Sequence, residues 1–160
     1  MPFHWLDSNV FIQAKNGPYS FGIAPTFWKW IVKSAEEGLI RSPQRVHQEL
    51  KDYDDQLARW AKMNGLCGLF VNPDAAVLKC YGAIAVFVQK TYKPPQAKKF
   101  LSGADPFLVA HAMSNSGTVV THEVLVDASA ADVKIPNVCE NFSVKWKPAY
   151  EALEKLGLKL

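Results

Sequence analysis

Three short apolar runs limit the fold most strongly: FHWL at the start of the chain, LIRSP from Leu39 to Pro43, and TVVT from Thr118 to Thr121. Each pair is separated by long segments with helical spacing. Strands that far apart cannot close a tight hairpin. They need crossover connections, and helical crossovers favour a parallel sheet with helices on both faces. An α/β fold follows, with a fourth short strand expected at VKW near the C-terminus. Asp7 or Ser8 starts a first helix reaching about Gln13, and a loop, KNGPYSFGIAP, follows. Pro25 and Thr26 open a helix carrying Phe27, Trp30, Ile31 and Ser34, ended by Gly38. Ser42 is the expected cap and Pro43 the first residue of the next helix, which carries Val46, Glu49 and Leu50. Further helices are predicted at DDQLARWAKM, from Asp74 to Tyr92, from Pro106 to Asn115 and from Pro148 to Leu156, with a helical turn at AKKFL. The aromatic residues Phe27, Trp28, Trp30, Trp60 and Phe87 fall at helical spacings and read as core.

The chain has 160 residues, enough for one ordinary domain with its own core, and 49% of them are hydrophobic. A net charge of +3 permits an anionic partner without requiring one. Three cysteines, Cys67, Cys80 and Cys139, form no CxxC pair, which argues against structural zinc and for a reducing compartment. The N-terminus does not resemble a signal peptide, and AAVLKCYGAIAVFVQ is interrupted by Lys79 and too short to cross a bilayer. A cytoplasmic protein with no membrane association is expected. The histidines His4, His47, His111 and His122 are scattered, without HExxH spacing, and His111 reads as structural.

Ligands bind at the carboxyl ends of the strands in open parallel sheets. Four acids lie where a parallel sheet would gather them. Asp7 follows the first strand; Glu49 lies in the helix after the second; Asp105 starts the helix before TVVT; Glu123 follows TVVT in VVTHE. Such carboxylates suit Mg²⁺ or Mn²⁺, hard cations that take oxygen ligands, activate water and stabilise a leaving oxygen in phosphodiester hydrolysis. Each acid also has a plainer role open to it. Asp7 or Asp105 could cap a helix, Glu49 could belong to a solvated face with Lys51, Asp52 and Asp54, and Glu123 could be a loop residue.

Taken together, LDSNVF, VHQEL, ADPFLVAHA and VVTHE, in that order, resemble the PIN domain family. LDSNVFIQAKN, ADPFLVAHA and KIPNVC resemble in particular an uncharacterised prokaryotic PIN-like subfamily. The resemblance implies a three-layer α/β/α sandwich with a mainly parallel, five-stranded sheet. It also implies an endoribonuclease dependent on Mg²⁺ or Mn²⁺, related to VapC-type toxins, with RNA as substrate, an antitoxin protein as partner and a homodimer as assembly. Carried over position by position, Asp7, Glu49 and Asp105 match the family's three main acids. Glu123 matches a fourth position that more often holds Asp. Ser8, Asn9 and Thr121 match supporting polar positions.

Of the lysines that could hold phosphates, among them Lys98 and Lys99, Lys15 on the long loop is the expected substrate contact. Two other readings compete. A haloacid dehalogenase-type phosphatase also begins with a strand ending in Asp, but needs a second Asp where this chain has Asn9. A non-catalytic PIN-like module binding RNA or protein would keep the acids for structure or weak metal binding.

Overall fold

In a computed structural model describing residues 2–160, strands β1 (His4–Leu6), β2 (Ile40–Pro43), β3 (Phe70–Val71), β4 (Thr118–Thr121) and β5 (Lys145–Pro148) form one sheet. Its order is β3-β2-β1-β4-β5 and every pairing is parallel. Among the described residues eight helices lie in the connections and a ninth follows the last strand. Helices α1 (Ser8–Asn16) and α2 (Pro25–Glu36) join β1 to β2, and α3 (Gln44–Lys51) and α4 (Gln56–Met63) join β2 to β3. The crossover to β4 holds α5 (Ala75–Thr91), α6 (Pro94–Leu101) and α7 (Asp105–Asn115). Helix α8 (Ile135–Asn141) precedes β5, and α9 (Ala149–Lys155) follows it.

The two-residue period of the central strands sorts the helices into layers. Leu6 and Val120 enter a core with Val10, Phe11, Phe27, Ile31 and Leu50, so α1 to α4 and α9 cover that face. Trp5 and Val119 point the other way, into a core with Ile84, Leu108 and Ile135 from α5, α7 and α8. The result is the expected three-layer α/β/α sandwich. Because both faces are covered, the strands read as short apolar runs rather than alternating ones. The aromatic residues serve packing as anticipated: Trp28 meets Trp60 at 5.0 Å between ring centres, and Phe11 meets Trp60 at 5.9 Å, tying α1, α2 and α4 together. His111 is buried and stacked on Trp5 at 4.4 Å.

Several local expectations change. Ser42 does not cap a helix; β2 runs through Pro43, and the Ser42 hydroxyl donates to the Leu6 carbonyl at 2.8 Å, stitching β2 to β1. The helical turn expected at AKKFL is a longer helix, α6, begun by Pro94 and Pro95, where the missing amides cost nothing. Strand β3 is only two residues long, too short to show a period. Helix α8 takes up the stretch IPNVCEN, which showed no helical repeat. Asp74 caps α5 as expected, its Oδ1 accepting from the Val77 amide at 2.9 Å. No helix among the described residues is long and apolar enough to cross a membrane.

Gly117 carries the turn from α7 into β4 in very little space. A Cβ there would lie 2.7 Å from Trp5 Cδ1 and 2.8 Å from the Phe3 carbonyl oxygen, which is committed to the Thr118 amide at 3.0 Å. Gly117→Ala should therefore force β4 away from β1. It is expected to lower unfolding free energy by ~1–3 kcal/mol in urea titrations monitored by tryptophan fluorescence.

Candidate functional site

From β1 the sheet grows outward through β2 and β3, then the chain returns to place β4 on the other side of β1. The carboxyl ends of β1 and β4 thus flank the point where strand order reverses, the usual place for a ligand crevice. Asp7 lies there. Its amide donates to the Val120 carbonyl at 3.0 Å, so the backbone is held by the neighbouring strand. Its side chain is directed inward, and the residue is 1% exposed. Oδ2 accepts from the Thr121 hydroxyl at 2.9 Å and Oδ1 from the Ser8 hydroxyl at 3.3 Å. Thr121 Oγ1 in turn accepts from the Glu123 amide at 3.0 Å. One threonine therefore orients the acid after β1 and the chain leading to the acid after β4.

The two glutamates are anchored similarly. Glu49 Oε1, on α3, accepts from the Ala104 amide at 2.9 Å, immediately before Asp105. Glu123 Oε1 accepts from the Ile135 amide at 2.7 Å, at the start of α8. Asp105 is the first residue of α7 and makes no side-chain capping bond; neither does Asp7 at the start of α1. Asp105 thus lies one place inside the Ala104 cap, whereas Asp7 occupies the cap position of α1, where the Asn9 amide adds to the hold of Thr121 and Ser8.

The carboxylates act on one another. Burial pushes Asp105 up to about 8, reinforced by the negative charges of Asp7, Glu123 and Glu49 and opposed by Lys134. Burial also raises Asp7 to about 6, partly offset by the Thr121 hydroxyl, with the charge of Glu123 raising it further and the Asn9 amide and Ser8 lowering it. Glu49 is raised as well, chiefly by burial, against the Ala104 amide and Arg45. All four acids from separate elements thus meet electrostatically at Asp105.

Asp105 and Glu123 open onto a cleft of about 200 Å³ shared with Gln96, Lys99, Asp132 and Lys134. Lys134 and Gln96 went unnoticed in the sequence because each stands alone, outside any motif. Lys15 lies elsewhere, its ammonium 2.8 Å from Asp55 Oδ2 at the start of α4. Among the described residues, no three His, Cys, Asp or Glu side chains come close enough to form a ready-made metal cage. The donors still suit one class of ion. They are all hard oxygens, crowded enough to repel when ionised, and Mg²⁺ typically takes only one or two carboxylates and keeps several waters.

Residues 4–160 match the model of a family described as Domain of unknown function (DUF4411). The chain belongs to that family. No curated protein matches it in sequence. The DUF4411 chain shares its fold with a chain in the crystal structure of VapBC2 from Rickettsia felis bound to a DNA fragment from their promoter. The TM-score is 0.53 at 15% identity, and the match covers 91% of this chain and 98% of that one.

The raised acids make metal-free stability fall with pH. Between pH 4 and about 8 the folded chain keeps a proton on Asp105 that the unfolded chain has released, so folding takes up a proton and weakens as pH rises. Asp105→Asn removes that linkage. Thermal melts in EDTA should find the variant more stable than the parent at pH 8, by ~1–3 kcal/mol, with the difference shrinking towards pH 4.

Proposed function

We propose that this DUF4411 chain is a PIN-like endoribonuclease that cleaves RNA phosphodiester bonds with Mg²⁺ or Mn²⁺. The observation that carries the reading is the electrostatic influence of Asp7, Glu49 and Glu123, each from a different element, on Asp105. The order and spacing of those acids resemble the PIN family along nearly the whole chain, and the fold shared with a chain of VapBC2 supports the same assignment. That likeness also supports the narrower reading as the toxin of a toxin–antitoxin pair, acting in the cytoplasm with a protein antitoxin as partner.

Asp7, Glu49, Asp105 and Glu123 would hold the ion. Bound there, it would supply an activated water and positive charge for the leaving oxygen. The chain's own residues prepare the site for that task. Thr121 and Ser8 turn the Asp7 carboxylate and keep it from rotating. The Ala104 and Ile135 amides each occupy one oxygen of a glutamate, and Glu123 lines the cleft beside Asp105. Asp105, protonated near neutrality when unpaired, would release its proton to bind a cation.

RNA cleavage in Mn²⁺, with and without EDTA, tests the reading. Asp7→Asn should lower the rate on the order of 10²–10³-fold, as expected for loss of one charged group at the reacting centre. Thr121→Val should cost roughly 10–100-fold, because the acid stays but loses its orientation. Cleavage by Asp7→Asn equal to that of the parent would sink the proposed site.

A second reading, a non-catalytic PIN-like binding module, draws on the glutamates, whose carboxylates already serve main-chain amides, and on the lack of a closed ligand cage among the described residues. Calorimetric titration with Mn²⁺ separates the two. Heat of binding at neutral pH that Asp105→Asn abolishes favours the nuclease, and no binding favours the module.

A further inference from the structure

We propose that Gln96, Lys99 and Lys134 form the substrate-facing wall of the carboxylate cleft: each lysine holds a phosphate of an RNA strand and the Gln96 amide pairs with a ribose 2′ hydroxyl. The inference rests on the ribonuclease reading and adds what the acids alone cannot supply. A cleft containing Asp105, Glu123 and Asp132 repels a polyanion unless cations stand beside them. Lys99 and Lys134 line that same cleft, and Lys134 is the cation that acts on Asp105. Neither takes part in an ion pair among the described residues; the pairs there are Lys15–Asp55, Lys33–Glu37 and Lys155–Glu151. Both ammonium groups are thus available to a phosphate.

The wall is built in advance. Lys99 and Gln96 stand on α6, which is fixed to the core by Ala97 and Phe100. Lys134 immediately precedes Ile135, whose amide is held by Glu123. Phe100 also lines the cleft but is 6% exposed, so it offers little face for stacking a base. Recognition then falls to the sugar–phosphate backbone rather than to base identity.

Gln96 supplies the discriminating contact. Its Oε1 is the one buried side-chain oxygen without a hydrogen-bond partner among the described residues. A buried acceptor left unpaired is costly, so turning the amide towards a donor in the cleft breaks no hydrogen bond of Oε1. A ribose 2′ hydroxyl both donates and accepts, so it can satisfy either end of an amide, and DNA lacks it.

Fluorescence anisotropy in EDTA, with a short labelled single-stranded RNA and the DNA of the same sequence, tests the wall without any metal-dependent turnover. The parent chain should bind RNA more tightly than DNA. Lys99→Ala with Lys134→Ala should weaken both and lower the slope of log affinity against log salt by about 1.4, roughly 0.7 per neutralised phosphate. Lys79→Ala with Lys90→Ala, which removes the same charge from exposed positions of α5, should leave the slope unchanged. Gln96→Leu should reduce RNA binding to the level of DNA and leave DNA binding as it was. Far-UV circular dichroism checks folding; should the double variant fail to fold, Lys99→Ala alone is expected to lower the slope by about 0.7. An unchanged slope in the cleft-lysine variant, an equal drop in the α5 variant, equal loss of RNA and DNA binding in Gln96→Leu, or no RNA binding by the parent overturns the proposal. The Mn²⁺ cleavage assay on Asp7→Asn is read separately. A nuclease whose cleft lysines do not matter would sink the wall alone; an RNA-binding wall with no Mn²⁺-dependent cleavage would sink the nuclease reading alone.

Discussion

The hydrogen bond from Thr121 to Asp7 joins the ends of the two strands on which the candidate site depends. It spans the β1/β4 junction at 2.9 Å, inside the sheet rather than on its surface. Without it, Asp7 would be a buried carboxylate facing only the Ser8 hydroxyl and the Asn9 amide, and burial would raise its proton affinity further. The same hydroxyl accepts the Glu123 amide, so the turn after β4 is fixed by the group that orients the acid after β1.

Beyond that junction the two glutamates of the site are tethered to main-chain amides. Glu49 reaches across from α3 to the residue before α7, and Glu123 reaches to the first residue of α8. Each tether ties a layer or crossover to its neighbour and presents a carboxylate near Asp105. Burial first, and that crowding second, push the Asp105 carboxyl up to about 8. Three acids thus act on a fourth, an arrangement in which a divalent cation would relieve the repulsion.

Much of this was legible in the chain itself. The apolar runs at the head of the chain and at TVVT are too far apart for hairpins, so their parallel pairing could be expected. The order of LDSNVF, VHQEL, ADPFLVAHA and VVTHE pointed to the four acids. What escaped notice has physical causes. Strand β3 is defined by its pairing with β2 and not by any period of its own. Ser42 reads as a helix cap next to Pro43, yet the Leu6 carbonyl competes for its hydroxyl and wins. Lys15 looked free to meet a substrate until folding brought Asp55 beside it, while Gln96 and Lys134 gained their place from the packing of α6 and α8.

The sequence by itself determined the parallel α/β character and the residue types of the site, because strand spacing and apolar period act locally and each acid sits at the end of its own element. Only the tertiary structure decided which oxygens face one another. That depends on the chain returning past β3 and β2 to lay β4 against β1, a long-range choice set by how the helices cover both faces of the sheet and written in no single segment.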